Sequence, residues 1–185
     1  MEPSFKYVKL REVHDPTRAN EGDAGIDFYV PTNLSVPEIS NANIKNEDYD
    51  SVDIRTNSNL KMYEIILWPH SRVSIPSGIY GILNPKDSML QANNKSGIST
   101  NKGLIFSAEV VDSGYLGEIH IGIINTTNHK VIIKAGEKLV QFVHIPVYLS
   151  KPQIVGIEEY NKLKELKLDE SGRGEAGMGS GKETL

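Results

Sequence analysis

The strongest constraint on this chain is the length and period of its apolar runs. Phe5, Tyr7 and Lys9 alternate with Lys6, Val8 and Leu10. Ile119, Ile121 and Ile123 alternate with His120, Gly122 and Ile124, and Val131-Ile132-Ile133 and residues 139–145 are further runs rich in β-branched side chains. A period of two places successive side chains on opposite faces of a pleated strand. Turn formers separate the runs: Pro69-His70-Ser71, Asn84-Pro85-Lys86-Asp87, residues 125–129 and Ala135-Gly136-Glu137. Short strands at close spacing with turns between them predict an all-β sandwich or barrel. There is little room for crossover helices, which argues against a parallel α/β sheet.

Two stretches break the pattern. Residues 33 to about 61 are rich in Asn, Asp, Ser and Glu, with single apolar residues such as Ile39, Ile44, Val52 and Ile54. They read as an inserted, largely exposed segment with at most a short strand or turn of its own, or as a long surface loop. Near the end, Ile157, Tyr160, Leu163 and Leu166 recur every third residue among Glu and Lys, which predicts a short amphipathic helix over 157–169. Beyond it, five of the twelve residues 171–182 are glycine, the composition of a flexible tail. The expected organisation is therefore a β-barrel over 1–156 carrying the polar insertion, followed by a helix and glycine-rich arm over 157–185.

Composition narrows the chemistry. The chain has no Cys, which excludes a disulfide scaffold, a thiolate zinc site and a cysteine nucleophile. Its formal charge of −4 argues against general nucleic-acid binding but leaves room for a local basic pocket. The N-terminus lacks a signal-peptide run, and no stretch approaches about 18 apolar residues. A soluble, cytoplasmic protein without membrane contact is expected. The five His are scattered without ligand spacing.

Five stretches could carry chemistry. In Asp23-Ala24-Gly25-Ile26-Asp27-Phe28-Tyr29, the carboxylate of Asp27 interrupts an apolar run. It either accepts hydrogen bonds from a neighbouring turn or helps hold a hydrated divalent cation. Lys95-Ser96-Gly97 combines charge, hydroxyl and close backbone approach, which suits a phosphate or a plain polar turn. Asp112 follows two valines and precedes a Ser-Gly turn near Tyr115. It could deprotonate a water or simply start the turn. Gln141 is an amide in an apolar strand, either specifically bonded or facing solvent at a sheet edge. The tail around Lys182 lacks the Ser or Thr of a Walker loop, because Glu183 follows. Its glycine N–H groups and Arg173 could still wrap an anion.

In this order and spacing the five stretches resemble the five motifs of the homotrimeric dUTPase family. Motif one resembles Ala24-Gly25-Ile26-Asp27-Phe28-Tyr29 and motif two resembles Lys95-Ser96-Gly97. Motif three resembles residues 108–118, motif four residues 136–142, and motif five residues 173–180. Ile75-Pro76-Ser77-Gly78 is similar to the family's linking turn. The resemblance implies a distorted jelly-roll β-barrel that assembles as a homotrimer, with active sites between subunits and the arm closing over a neighbour's site. It implies Mg2+-dependent hydrolysis of dUTP to dUMP and pyrophosphate. Asp112 would be the general base. Tyr115 would lie against the deoxyribose and exclude a 2′-hydroxyl. Phe106, Glu109, Val110 and Val111 would read the uracil edge through their backbone. Asp27 would orient Mg2+ through water. Lys95, Ser96, Gly97 and Gln141 would hold the phosphates, and Arg173, Met178, Gly179 and Ser180 would close over the substrate.

Some positions depart from the family pattern. Lys95 stands for an Arg, and a Lys cannot fork onto two oxygens. Glu109 stands for a Gly beside the base. Glu137 and Lys138 stand for Asp and Arg, and Met178 stands for the Phe that stacks on uracil. An active enzyme with looser arm closure is expected. One alternative is a regulatory protein of the same fold that docks a protein partner through the insertion. Another is a dCTP deaminase, which the Gly at position 122 disfavours because that activity needs a Glu there.

Overall fold

The computed structural model describes residues 2–43, 52–57 and 62–171. The chain divides into two compact units, residues 1–148 and residues 149–185. The first unit is all-β apart from two one-to-two-turn helices. Its elements in order are β1 (Ser4–Lys9), β2 (Gly25–Tyr29), α1 (Val36–Ala42), β3 (Val52–Asn57), β4 (Met62–Leu67), β5 (Arg72–Asn84) and β6 (Ser88–Asn94). Then come α2 (Ser96–Lys102), β7 (Leu104–Phe106), β8 (Val110–Asp112), β9 (Glu118–Asn125), β10 (Val131–Lys134) and β11 (Lys138–Pro146).

The strands form three antiparallel sheets, ordered β1-β5-β9-β7, β2-β11-β6-β8 and β10-β4-β3. The sequence alternation maps onto their faces: Ile119, Ile121 and Ile123 are buried, while His120 is exposed. The inner faces meet in one core that includes Phe28, Phe142, Ile75, Ile121, Leu90, Ile65 and Ile133. Phe28 and Phe142 pack tilted with ring centres 4.6 Å apart, which joins β2 to β11 from within.

In the polar stretch after residue 33 most of the described residues are exposed or half-buried, with a few apolar anchors. Leu34, Ile39 and Val52 are buried, and β3 pairs with β4 along its length. Val36 faces solvent, while Leu34, Ile39 and Val52 anchor the segment to the core. In α1, Pro37 falls in the first turn, where its missing N–H costs nothing. The Glu38 carboxylate accepts hydrogen bonds from the Ser35 N–H (2.8 Å) and hydroxyl (2.7 Å), closing the helix start. Ile44 lies outside the described residues.

The second unit contains α3 (Ile157–Ser171), a helix where the sequence predicts one. It is weakly amphipathic. Three residues turn a helix by about 300°, so each successive apolar side chain falls about 60° behind the last and the four spread round half the circumference. Ile157, Tyr160, Leu163 and Leu166 are all exposed. Among the described residues no helix is long and apolar enough to cross a membrane.

Candidate active site

Strand register brings three of the predicted motifs together. In the sheet β2-β11-β6-β8, Gln141 stands directly opposite Asp27 on one side and Asn93 on the other. Residues in one cross-strand row share a face. β6 then ends at Asn94, and Lys95 caps the start of α2 beside that row. The result is an open cavity of about 670 Å³ lined by Asp27, Gly25, Asn93, Asn94, Lys95 and Gln141, among others.

The electrostatics centre on Asp27. It is only 2% exposed, yet it lies in the row that floors the cavity. Lys95 Nζ donates to Oδ1 at 2.7 Å, and Lys138 Nζ lies 2.8 Å from Oδ2. Burial alone pushes the carboxyl up, but the hydrogen bonds from Lys138 and Lys95 overcome it and hold the group below its ordinary value. The same contact raises Lys138. At neutral pH one carboxylate thus sits between two ammonium groups, a local surplus of positive charge in an acidic protein.

Gln141 is not at a sheet edge, because β11 lies between β2 and β6. Its Nε2 donates to the Asn94 carbonyl at 3.2 Å. A Cβ at Gly25 would stand 2.5 Å from Gln141 Oε1, so only glycine admits that amide in the opposing strand. Ser96 and Gly97 begin α2 and are exposed. Their N–H groups belong to the first turn, which has no intrahelical acceptor for them.

Motif three is placed apart from this cavity. Phe106 ends β7, which pairs with β9, while Val110, Val111 and Asp112 form β8, which pairs with β6. The two arms of the hairpin therefore splay into different sheets. Glu109 O accepts from Ala92 N–H at 2.7 Å, and Phe106 N–H donates to Asn94 Oδ1 at 3.0 Å. Glu109 carries its side chain outward, exposed. Asp112 is exposed opposite Met89, and its carbonyl accepts from Tyr115 N–H at 3.0 Å. The Tyr115 hydroxyl donates to the Glu118 carbonyl at 2.8 Å, and Gly117 leaves space for the ring.

Met89 and Asn93 share a face of β6, so Asp112 faces the same side as Asp27 and Gln141. Four residues of strand separate the two rows, roughly 13 Å. Within one chain Asp112 therefore lies far beyond hydrogen-bond reach of Lys95. Arg173, Met178, Gly179 and Ser180 lie outside the described residues.

Sequence reasoning misses Asn93, Asn94 and Lys138 as site residues. The signal is available: two Asn directly precede Lys95, and a buried Asp calls for cations. The sequence marks Glu118 only as the end of motif three. Its carboxylate is gripped by Arg11 (Nε at 2.7 Å and Nη2 at 3.0 Å) and accepts from Gly78 N–H at 2.7 Å, where φ is 76°. It therefore holds the turn after Pro76 against the start of β9.

No group of three or more His, Asp or Glu able to bind a metal directly occurs among the described residues. The donor set suits a hydrated Mg2+ carried by phosphate oxygens. The Asp27 oxygens keep one lone pair each beyond their Lys partners, and Gln141 supplies an amide.

An antiparallel jelly-roll barrel with a buried Asp–Lys anion pocket and a separate carboxylate hairpin defines a narrow class of β-barrel proteins. The family model for dUTPase matches residues 60–180, well over half of the chain. The deoxyuridine 5'-triphosphate nucleotidohydrolase of Mycobacterium sp. strain JLS is 28% identical over 184 residues, covering 97% of this chain and 96% of that protein. The enzyme of the same name from the Wolbachia of Culex pipiens is 33% identical over 118 residues, covering 63% and 71%. A point mutant of the dUTPase of Staphylococcus bacteriophage 80alpha, solved with dUpNHpp, superposes with a TM-score of 0.65 at 18% identity, covering 96% of this chain and 97% of that one. This chain belongs to the dUTPase family.

Proposed function

We propose that this protein hydrolyses dUTP to dUMP and pyrophosphate in sites shared between copies of the chain, assembled as a homotrimer in the cytoplasm. One observation carries the reading. The phosphate-type residues Asp27, Lys95 and Gln141 share one cavity, while Asp112 stands on the same sheet face about 13 Å further along, with Tyr115 in the turn that follows it. Each half is incomplete alone, and a second copy that places its hairpin over this cavity completes both.

Each residue then has a defined part. Lys95, Gln141 and the N–H groups of Ser96 and Gly97 bind the phosphate oxygens. The backbone of Phe106, Glu109, Val110 and Val111 reads the uracil edge. Asp112 of the neighbouring copy takes a proton from the water whose oxygen attacks the α-phosphorus. The bond from that phosphorus to the bridging oxygen breaks, and its electron pair leaves with pyrophosphate. The Tyr115 ring, held by its bond to Glu118 O, packs on the deoxyribose where a 2′-hydroxyl would clash. When Mg2+ is bound it offsets charge on the triphosphate, with Asp27 and Gln141 meeting its water shell. Arg173, Met178, Gly179 and Ser180 form the arm that closes over the site.

The deaminase alternative meets a steric obstacle. A Cβ at Gly122 would lie 2.2 Å from Ser107 Oγ, so no Glu fits there without displacing that side chain. Pyrophosphate release measured with dUTP, UTP and dCTP tests the reading. Rapid turnover of dUTP alone is expected, with UTP slower by about a hundredfold or more. Equal turnover of UTP, or deamination of dCTP, would contradict it.

A further inference from the structure

The polar segment before β4 reaches the hairpin of residues 106–112 through a buried amide. β1 covers β5 only from Ile79 to Asn84, so among the described residues Ser74 has β9 on one side and no strand on the other. The side chain of Asn43, at the end of α1, occupies that open edge. Its Oδ1 accepts from Ser74 N–H at 2.8 Å, and its Nδ2 donates to Ser74 O at 2.9 Å and to Ile39 O at 2.7 Å. Asn43 is 3% exposed, so all three bonds are shielded from water. One side chain thus plays the part of a neighbouring strand.

The row continues across the sheet. Ser74 is the register partner of Gly122, and Gly122 O accepts from Ser107 N–H at 3.2 Å. Ser107 directly follows β7 in the hairpin that contains Glu109 and Asp112. Gly122 itself has no side chain, so between the buried Ile121 and Ile123 its backbone meets β5 on one side and Ser107 on the other. Asn43 and Ala42 on one side and Ser107 and Ala108 on the other line one open cavity of about 280 Å³. A second link runs parallel: Glu38 of α1 pairs with Arg11, which grips Glu118 at the start of β9.

We propose that Asn43 is a positioning residue for the pyrimidine-reading hairpin. By completing the open edge of β5 it fixes Ser74, then Gly122, then Ser107, and so sets affinity for the nucleotide. The link to affinity rests on the role given above to residues 106–111. The link to the hairpin does not.

Full-length Asn43→Ala is compared with wild type and with Ile39→Val, which loosens the same helix without touching the row. Amide exchange is followed at Ser107 and in the distant β10-β4-β3 sheet, and KM and kcat are measured for dUTP. In Asn43→Ala, Ser107 exchange is expected to quicken about tenfold more than the distant sheet. KM rises about tenfold while kcat stays within about twofold. Ile39→Val changes exchange evenly and leaves KM alone. Even exchange in Asn43→Ala, or an unchanged KM beside a working wild type, overturns the proposal. Should Asn43→Ala not fold, Asn43→Asp keeps the acceptor for Ser74 N–H and gives the same comparison. A wild type inactive on dUTP defeats the proposed activity, and Ser107 exchange then decides the positioning role by itself.

Discussion

Two carboxylates show how the same chemical group serves different ends. Asp27 is paired with two Lys under near-complete burial, so replacing it strands two ammonium groups. Asp27→Asn is expected to cost about 3 kcal/mol or more, read from urea unfolding. Glu38 answers to pH instead. The Ser35 hydroxyl and N–H, and then Arg11, hold its carboxyl down at about 2 against an ordinary 4.5. The unfolded chain therefore takes up this proton first as pH falls. The stability Glu38 supplies is complete above about pH 4.5 and is lost as pH drops toward 2. The acid slope of the urea midpoint should flatten in Glu38→Gln over that window. An unchanged slope would mean the contacts contribute nothing.

At the scale of elements, β11 and α2 decide where the chemistry sits. β11 holds Phe142 in the core and Gln141 in the cavity because the two alternate across one pleat. Phe142 is 1% exposed, so Phe142→Ala is expected to destabilise by about 3–5 kcal/mol, measured by denaturant titration. α2 stops at Gly103, whose φ of 62° a Cβ disfavours and whose Cβ would meet Thr127 Cγ2 at 2.2 Å. Gly103→Ala should cost about 1–3 kcal/mol and tilt Lys95 at the other end of the helix. The strands were legible in the sequence because period-two alternation is local, as in residues 119–123. α2 was not, because Ser96 to Lys102 has no apolar stripe and is helical only through its caps and neighbours. Spacing of three located α3, but it winds the four apolar residues round half the helix and so leaves it only weakly amphipathic. The core role of Ile39 was hidden as well, since one Ile among Asn, Ser and Glu gives no periodic signal. Asp27 and Gln141 were legible as polar residues out of place, but their Lys138 and Asn94 partners depend on register across strands.

For the whole molecule, the division of the site is the main consequence of the fold. The sheet that carries Asp27 and Gln141 at one end, beside Lys95, carries Asp112 at the other, so a single chain keeps Asp112 apart from that cavity. In a chain of net charge −4, Lys95 and Lys138 set two ammonium groups against the Asp27 carboxylate, beside a cavity that Asp23 also lines. Mixing two inactive chains tests this account most directly. Asp112→Asn and Lys95→Ala, each assayed alone on dUTP, should fall below about a hundredth of wild-type turnover. Unfolded together and refolded as a mixture, they should regain about a quarter of it, because sites that pair an intact Lys95 cavity with an intact Asp112 hairpin then form between copies. A mixture that stays as inactive as its parents, beside an active wild type, would contradict a site shared between chains.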